Sequence, residues 1–181
     1  MGLGSMEWSG SPGDEIMKGI EVKKLELRPD DRGVFCELYR QDWRSFFNEP
    51  VVQFNLSSSF PGIVRAWHRH ARGQVDYFIV IEGALRICAY DGSSHELFEV
   101  VASHRRPSIV RIPGHYYHGT MAVGDTSALT LYGTTRLYDY DDPDEERLPW
   151  NDAGVKPSDI NGRIDDPRVG RPWDWFSAPH R

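Results

Sequence analysis

From Ile20 onward apolar and polar residues alternate in short runs, and nearly every run stops at Gly, Pro, Ser or Asp. "IEVKKLELRP" alternates from Ile20 to Leu27, and "GVFCELYR" follows a turn at Asp30, Asp31, Arg32 and Gly33. The pattern continues through "EPVVQFNLSSS", "GIVRAWHRH", "VDYFIVIEG", "ALRICAYDG", "HELFEVVAS", "PSIVRIPG", "YYHGTMAV" and "SALTLYGTT". Strands at this spacing, with no long helical period between them, predict an all-β sandwich or barrel. "DWRSFFN" predicts a helical turn. After Asp139 the chain becomes rich in Pro and Asp and loses its period. An irregular tail with short helical pieces is expected there, pinned to the barrel by Trp150, Trp173 and Trp175. The organisation expected is a flexible leader over 1–18, a barrel domain over 19–150 and an irregular C-terminal tail over 151–181.

Composition narrows the class. A chain of 181 residues with 39% hydrophobic and 27% charged positions is globular and fits one domain. A net charge of −6 argues against a general nucleic-acid binder. No apolar run approaches the ~20 residues that span a bilayer, and the start has no apolar signal segment. Cys36 and Cys88 are too few for a disulfide framework and read as buried thiols in a reducing, cytoplasmic setting.

Chemistry concentrates in "AWHRHARGQVDYFIVIEG" and "RIPGHYYHG". On a strand His68 and His70 point one way while Trp67 and Arg69 point the other. Arg65 is an odd step from His68 and shares its face only across a bulge. If the two segments are neighbours in a barrel, His68, His70 and His118 converge, with Asp76 or Gln74 near by. Such a set, His68, His70, Asp76 and His118, suits a divalent zinc, iron, nickel or manganese ion. Tyr116 and Tyr117 alternate, so one is expected to pack and the other to face the pocket. Arg105 and Arg106 read as a charged hairpin turn, His95 and His104 as turn residues, and "DDPDEER" as a solvated loop with Arg147 pairing locally.

The order H-x-H, an acid, Gly83 and then P-G-x-x-x-H resembles the two short motifs of the cupin superfamily, whose fold is a double-stranded β-barrel or jelly roll. Within it, Glu21 to Asn151 resembles the dTDP-4-dehydrorhamnose 3,5-epimerases. "DDRGVFCELYR" is similar to that family's D-x-R-G-x-F-x-E, and "VVQFNLSSSFPGIVRAWH" to V-Q-x-N-x-S-x-S followed by G-x-x-R-G-x-H. "RIPGHYYHG" is similar to I-P-x-G-x-x-H-G, and "DPDEERLPWND" to the segment after the last barrel strand.

The resemblance implies an isomerase of carbohydrate and polysaccharide biosynthesis acting on a nucleotide-activated 4-keto-6-deoxy sugar, with no cofactor required. His68 matches the histidine that removes the α-proton, and Tyr138 and Tyr140 lie beside the position of the acid tyrosine. Arg32 and Arg65 match anion-holding arginines. Phe35, Glu37, Gln53, Asn55, Ser57 and His118 match the nucleotide and sugar surroundings. The aspartate that orients the histidine falls near Asp174. Relatives of this type are homodimers in which an N-terminal strand joins the partner's sheet, a part that "EVKKLEL" would play. One departure is chemical: the family's enolate-stabilising lysine falls at Asp76, a carboxylate where positive charge is needed. Three readings therefore stand: a keto-sugar epimerase using His68, a metal-dependent cupin enzyme of other chemistry, and a non-catalytic binder of sugar nucleotides. Solvent-deuterium exchange at the sugar carbons separates the first from the third, and bound metal marks the second.

Overall fold

The computed structural model describes residues 17–177, and among these all regular structure is strand. In chain order the strands are β1 (Glu21–Lys24), β2 (Arg28–Asp30), β3 (Gly33–Phe35), β4 (Gln53–Ser59), β5 (Val64–Arg69), β6 (Val75–Glu82) and β7 (Ala84–Tyr90). They continue with β8 (Glu96–Ser103), β9 (Ser108–Pro113), β10 (Tyr117–Ala122), β11 (Ala128–Thr134), β12 (Glu146–Arg147) and β13 (Asp159–Ile160). Two sheets face each other, one in the order β1-β9-β6-β11-β4 and one in the order β12-β5-β10-β7-β8-β13. The β2-β3 hairpin stands apart from both, its turn at Asp31 and Arg32 as expected. Among the described residues no helix is long and apolar enough to cross a membrane.

Three apolar clusters explain the sequence pattern. Phe78, Val80, Leu85, Ile87, Val110 and Ile112 fill the space between the sheets. The outer face of β6 and β9, with Val75, Tyr77, Ile79 and Ile109, is covered by Phe46 and Phe47. "DWRSFFN" does make a helical turn there, Phe47 N–H donating to the Trp43 carbonyl at 2.8 Å. The outer face of the second sheet carries Trp67, Cys88, Tyr90 and Met121, covered by Val155, Ile160, Trp173 and Trp175 from the tail. Both faces of β6 are therefore buried, which is why "VDYFIVI" reads as a nearly continuous apolar run.

The tail is held without helices, contrary to the short helical pieces expected. Instead β13 pairs with β8 in parallel, at Asp159 with Glu96 and Ile160 with Leu97. Arg168 grips Asp166 through Nε and Nη2, both at 2.9 Å, and reaches Glu99 on β8 at 2.8 Å. Trp173 and Trp175 pin the tail as expected, whereas Trp150 is 46% exposed and does not. Losing a buried indole of this kind costs about 3–5 kcal/mol.

Other boundaries differ from the reading of the sequence. Residues 1–16 of the expected leader lie outside the described residues, and Met17 is already packed in the core. The alternation from Ile20 to Leu27 yields only the four residues of β1, which pair with β9 of the same chain. "EVKKLEL" is thus largely committed to its own sheet. Cys88 is buried as expected, but Cys36 is only half-buried in the loop after β3.

Candidate active site

The histidines meet because of register. His118 on β10 stands directly opposite His68 on β5, and the pairing then slips so that Thr120 faces Arg65. One residue of β10, Gly119, therefore opposes two of β5, Ala66 and Trp67, which is a bulge. A Cβ on Gly119 would collide with Ala66, so glycine makes the bulge possible. The bulge re-aims Arg65 to the face of His68, and both line the cavity, while Trp67 on the opposite face packs against Trp175 at 4.9 Å between ring centroids.

His70 lies just past β5 and is placed by the Pro113-Gly114 turn. The His70 N–H donates to the Gly114 carbonyl at 2.6 Å, and the Gly114 N–H donates to the Gln74 carbonyl at 2.7 Å. A Cβ on Gly114 would sit 2.5 Å from that carbonyl oxygen and 2.8 Å from the His70 Cβ. Asp76 enters from β6 on the other sheet. Gln74 donates to its Oδ1 at 2.7 Å, and its Oδ2 lies 3.0 Å from His118 Nε2 and 3.4 Å from His70 Nε2.

The tautomers follow from the outer nitrogens. His118 Nδ1 is 3.0 Å from the Tyr116 carbonyl and His70 Nδ1 is 2.5 Å from the Asp144 carbonyl, so each donates its Nδ1 proton outward. Both Nε2 atoms consequently face Asp76. His118 Nε2 is fully buried and close to the carboxylate, but is not directed for a hydrogen bond. Burial pushes the Asp76 carboxyl upward, and His118 and His70 outweigh it and hold the group below the usual carboxylate range. Burial lowers His70, but Asp76 and the Asp144 carbonyl together raise it above an ordinary histidine. Burial and then the neighbouring His118 push His68 down to about 2, so its imidazole is neutral.

His68, His70 and Asp76 line the floor of a cavity of about 820 Å³, and His118 is fully buried beside them. Gln53, Asn55 and Ser57 line one wall from β4, as do Phe78 and Tyr132 from β6 and β11. Gln53 also donates to Asn55 at 2.8 Å and accepts the Tyr138 N–H at 3.0 Å, which ties the loop carrying Tyr138 and Tyr140 to that wall. Both tyrosines line the mouth, Tyr140 being 86% exposed.

Other expected site residues stand elsewhere. Arg32 lies on the tip of the β2-β3 hairpin, ion-paired to Asp30, and Phe35 is exposed on the same hairpin. Glu37 pairs with Arg40 at 2.7 Å. None of the three lines this chain's cavity. Asp174 is exposed and accepts the Phe176 N–H at 2.9 Å, far in role from orienting His68. Neither tyrosine of "HYYH" faces the pocket: Tyr116 is in the core, and Tyr117 lies beneath Arg69 on the outer side. His115 is exposed against Tyr116.

The segment "DDPDEER" is more than a solvated loop, since it reaches the site. Glu146 and Arg147 form β12 on the edge of β5, Arg147 opposite His68, and Arg147 lines the cavity while pairing with Glu145 at 2.8 Å. Asp144 caps the His70 loop, accepting the Ala71 and Arg72 N–H groups at 2.9 Å each. Only the similarity of "DPDEERLPWND" to a family segment pointed there, because the pairing is between residues more than seventy positions apart.

This geometry has parallels among known proteins. Residues 28–146 match the family described as polysaccharide biosynthesis C-terminal domain. The chain belongs to that family. It is 39% identical over 150 residues to the probable low-salt glycan biosynthesis epimerase of Haloferax volcanii, covering 80% of this chain and 95% of that one. It is 34% identical over 145 residues to a spore coat polysaccharide biosynthesis protein of Bacillus subtilis, covering 77% and 94%. Among solved structures it is similar to NovW, a 4-keto-6-deoxy sugar epimerase from the novobiocin gene cluster of Streptomyces spheroides, with 26% identity and a TM-score of 0.65 over 87% of this chain and 78% of that one. The dTDP-6-deoxy-D-glucose-3,5-epimerase of Legionella pneumophila shares the fold at 20% identity, with a TM-score of 0.69 over 82% and 86%. The barrel is a cupin-type jelly roll, and the protein is an epimerase-type isomerase.

Proposed function

We propose that this chain inverts a carbon beside the ketone of a nucleotide-activated 4-keto-6-deoxy sugar, with His68 as the base. The observation that carries this reading is the placement of His68: an imidazole lining a polar cavity that Arg65, Gln53 and Asn55 also line. The relatives add the substrate class, since NovW is a 4-keto-6-deoxy sugar epimerase and the Legionella pneumophila enzyme was solved with dTDP-4-keto-L-rhamnose. His68 takes the α-proton, the C–H electron pair moves into the C–C bond as the carbonyl becomes an enolate, and a proton returns from the opposite face. Tyr138 and Tyr140, which line the mouth, return it in this reading. Arg65 and Arg147 supply positive charge for the diphosphate.

Arg32, Phe35 and Glu37 serve the nucleotide in this reading from a second copy of the chain, because they stand outside their own cavity. Phe54 on the outer face of the edge strand β4, and Val34 and Phe35 on the hairpin, are exposed apolar groups that favour a homodimer. The free thiols of Cys36 and Cys88 suit the reducing cytoplasm. The test is incubation with dTDP-4-keto-6-deoxyglucose in deuterium oxide. Deuterium at C3 or C5, absent with His68→Asn, supports the reading; binding without exchange in the wild type would overturn it in favour of a sugar-nucleotide binder.

A further inference from the structure

We infer that His70, His118 and Asp76 form a binding site for a divalent first-row transition-metal cation, open toward the cavity beside His68. Three independent features of the cluster converge on this. First, both imidazoles have their outer nitrogen fixed by a backbone carbonyl, at 2.5 Å for His70 and 3.0 Å for His118, which turns each Nε2 inward. That outer hydrogen bond is the arrangement that orients histidine toward metals. Gln74 does the same for the carboxylate, holding Oδ1 at 2.7 Å and leaving Oδ2 to face the imidazoles.

Second, the spacing suits one ion. Donors bound at about 2.1 Å and 90–110° apart lie roughly 3.0–3.5 Å from one another. Oδ2 of Asp76 is 3.0 Å from one Nε2 and 3.4 Å from the other. Third, His118 Nε2 is completely buried and, among the described residues, has no partner directed for a hydrogen bond, although an unsatisfied buried polar atom is costly. A lone pair aimed at a cation removes that cost.

His68 offers a further nitrogen, the three histidine ligand atoms all lying within 4.8 Å of one another. It makes no hydrogen-bonded contact with Asp76, and it stays with the base role here. Two imidazoles and one carboxylate form a three-point face with open positions, a donor set that suits iron, manganese, nickel or zinc. The charge balance has a chemical meaning. A divalent cation on Asp76 leaves one net positive charge at the position where the resemblance calls for a lysine. Bound there, the ion supplies that charge beside the keto oxygen of the substrate. This catalytic role rests on the epimerase reading above; the site itself does not.

The test uses the full chain, purified without an affinity tag of histidines. It combines elemental analysis with titration of the chelator-treated protein by cobalt(II), read by visible absorption, and by zinc, read in competition with a chelating dye. The expected result is one equivalent per chain and a thermal midpoint that rises with added metal. His70→Gln and Asp76→Asn, checked for folding by circular dichroism, should each bind at least tenfold more weakly. Folded wild-type protein that takes up neither ion at a hundred-micromolar concentration would overturn the site, as would a folded His70→Gln that binds like the wild type. Deuterium exchange by metal-free protein that binds no ion would overturn the site and leave the epimerase reading standing. Stoichiometric metal without exchange would do the reverse.

Discussion

His118 and His68 face each other across paired strands, their ring centroids 4.3 Å apart. The base candidate thus rests against another imidazole in a wall of β-sheet. If His68 is the group that moves the proton, His68→Asn should lower turnover by about 10²–10⁴-fold while leaving nucleotide affinity within a few fold. Single-turnover deuterium incorporation and a separate binding titration with dTDP check the two halves.

Arg65 reaches the cavity only through the β5 bulge, where it donates to Ser59 Oγ at 3.0 Å and the Ser58 carbonyl at 3.1 Å. In the proposed reading its charge holds substrate and transition state alike, and removal takes that charge away. Arg65→Ala is expected to raise KM by about 10–100-fold with a smaller change in kcat, consistent with loss of one charge-assisted contact. Steady-state kinetics over a range of salt concentrations would show it.

Gly119 leaves room for the bulged Ala66. Gly119→Ala should force β5 away from β10, destabilise the protein by about 1–3 kcal/mol and lower activity more than stability. Urea unfolding measured beside the initial rate separates these effects. Gly114→Ala, which crowds His70 and the Gln74 carbonyl, is expected to act on the same two readouts.

The tail latch is a matter of charge. The Arg168 guanidinium holds the Asp166 carboxyl down at about 2, from an ordinary value of 3.8. Its contribution is present above pH 4 and fades as the pH falls from about 3.8 toward about 2, because over that range the unfolded chain takes up a proton that the folded form does not. The size is on the order of 2 kcal/mol. Asp166→Asn should therefore be less stable than the wild type at pH 6, with the gap closing near pH 2, as read by denaturant midpoints.

The barrel strands were legible because turn residues close them and β-branched residues fill them, so their bounds depend on neighbours in sequence. The convergence of His68, His70 and His118 was legible too, since alternation fixes a face and two strands of one barrel share it. What escaped the sequence was set by distant pairing. Nothing local marks Glu146 and Arg147 as an edge strand on β5, or the Asp144 carbonyl as the partner of His70. The outer cover misled in the other direction: Tyr117 alternates correctly but lies on the side that Arg69 shields. Asp174 failed because its backbone turns outward between two buried tryptophans.

Asp76 belongs to the sheet of β6, whereas His68 and His118 belong to the sheet of β5 and β10. The two halves of the chemistry are thus mounted on separate plates, joined beside the site by the His70 N–H bond to the Gly114 carbonyl. The pairing of β5 with β10 that aims His68 does not run through position 76. A scaffold built this way lets the group that faces the cavity from β6 change independently of the strands that hold His68 in place.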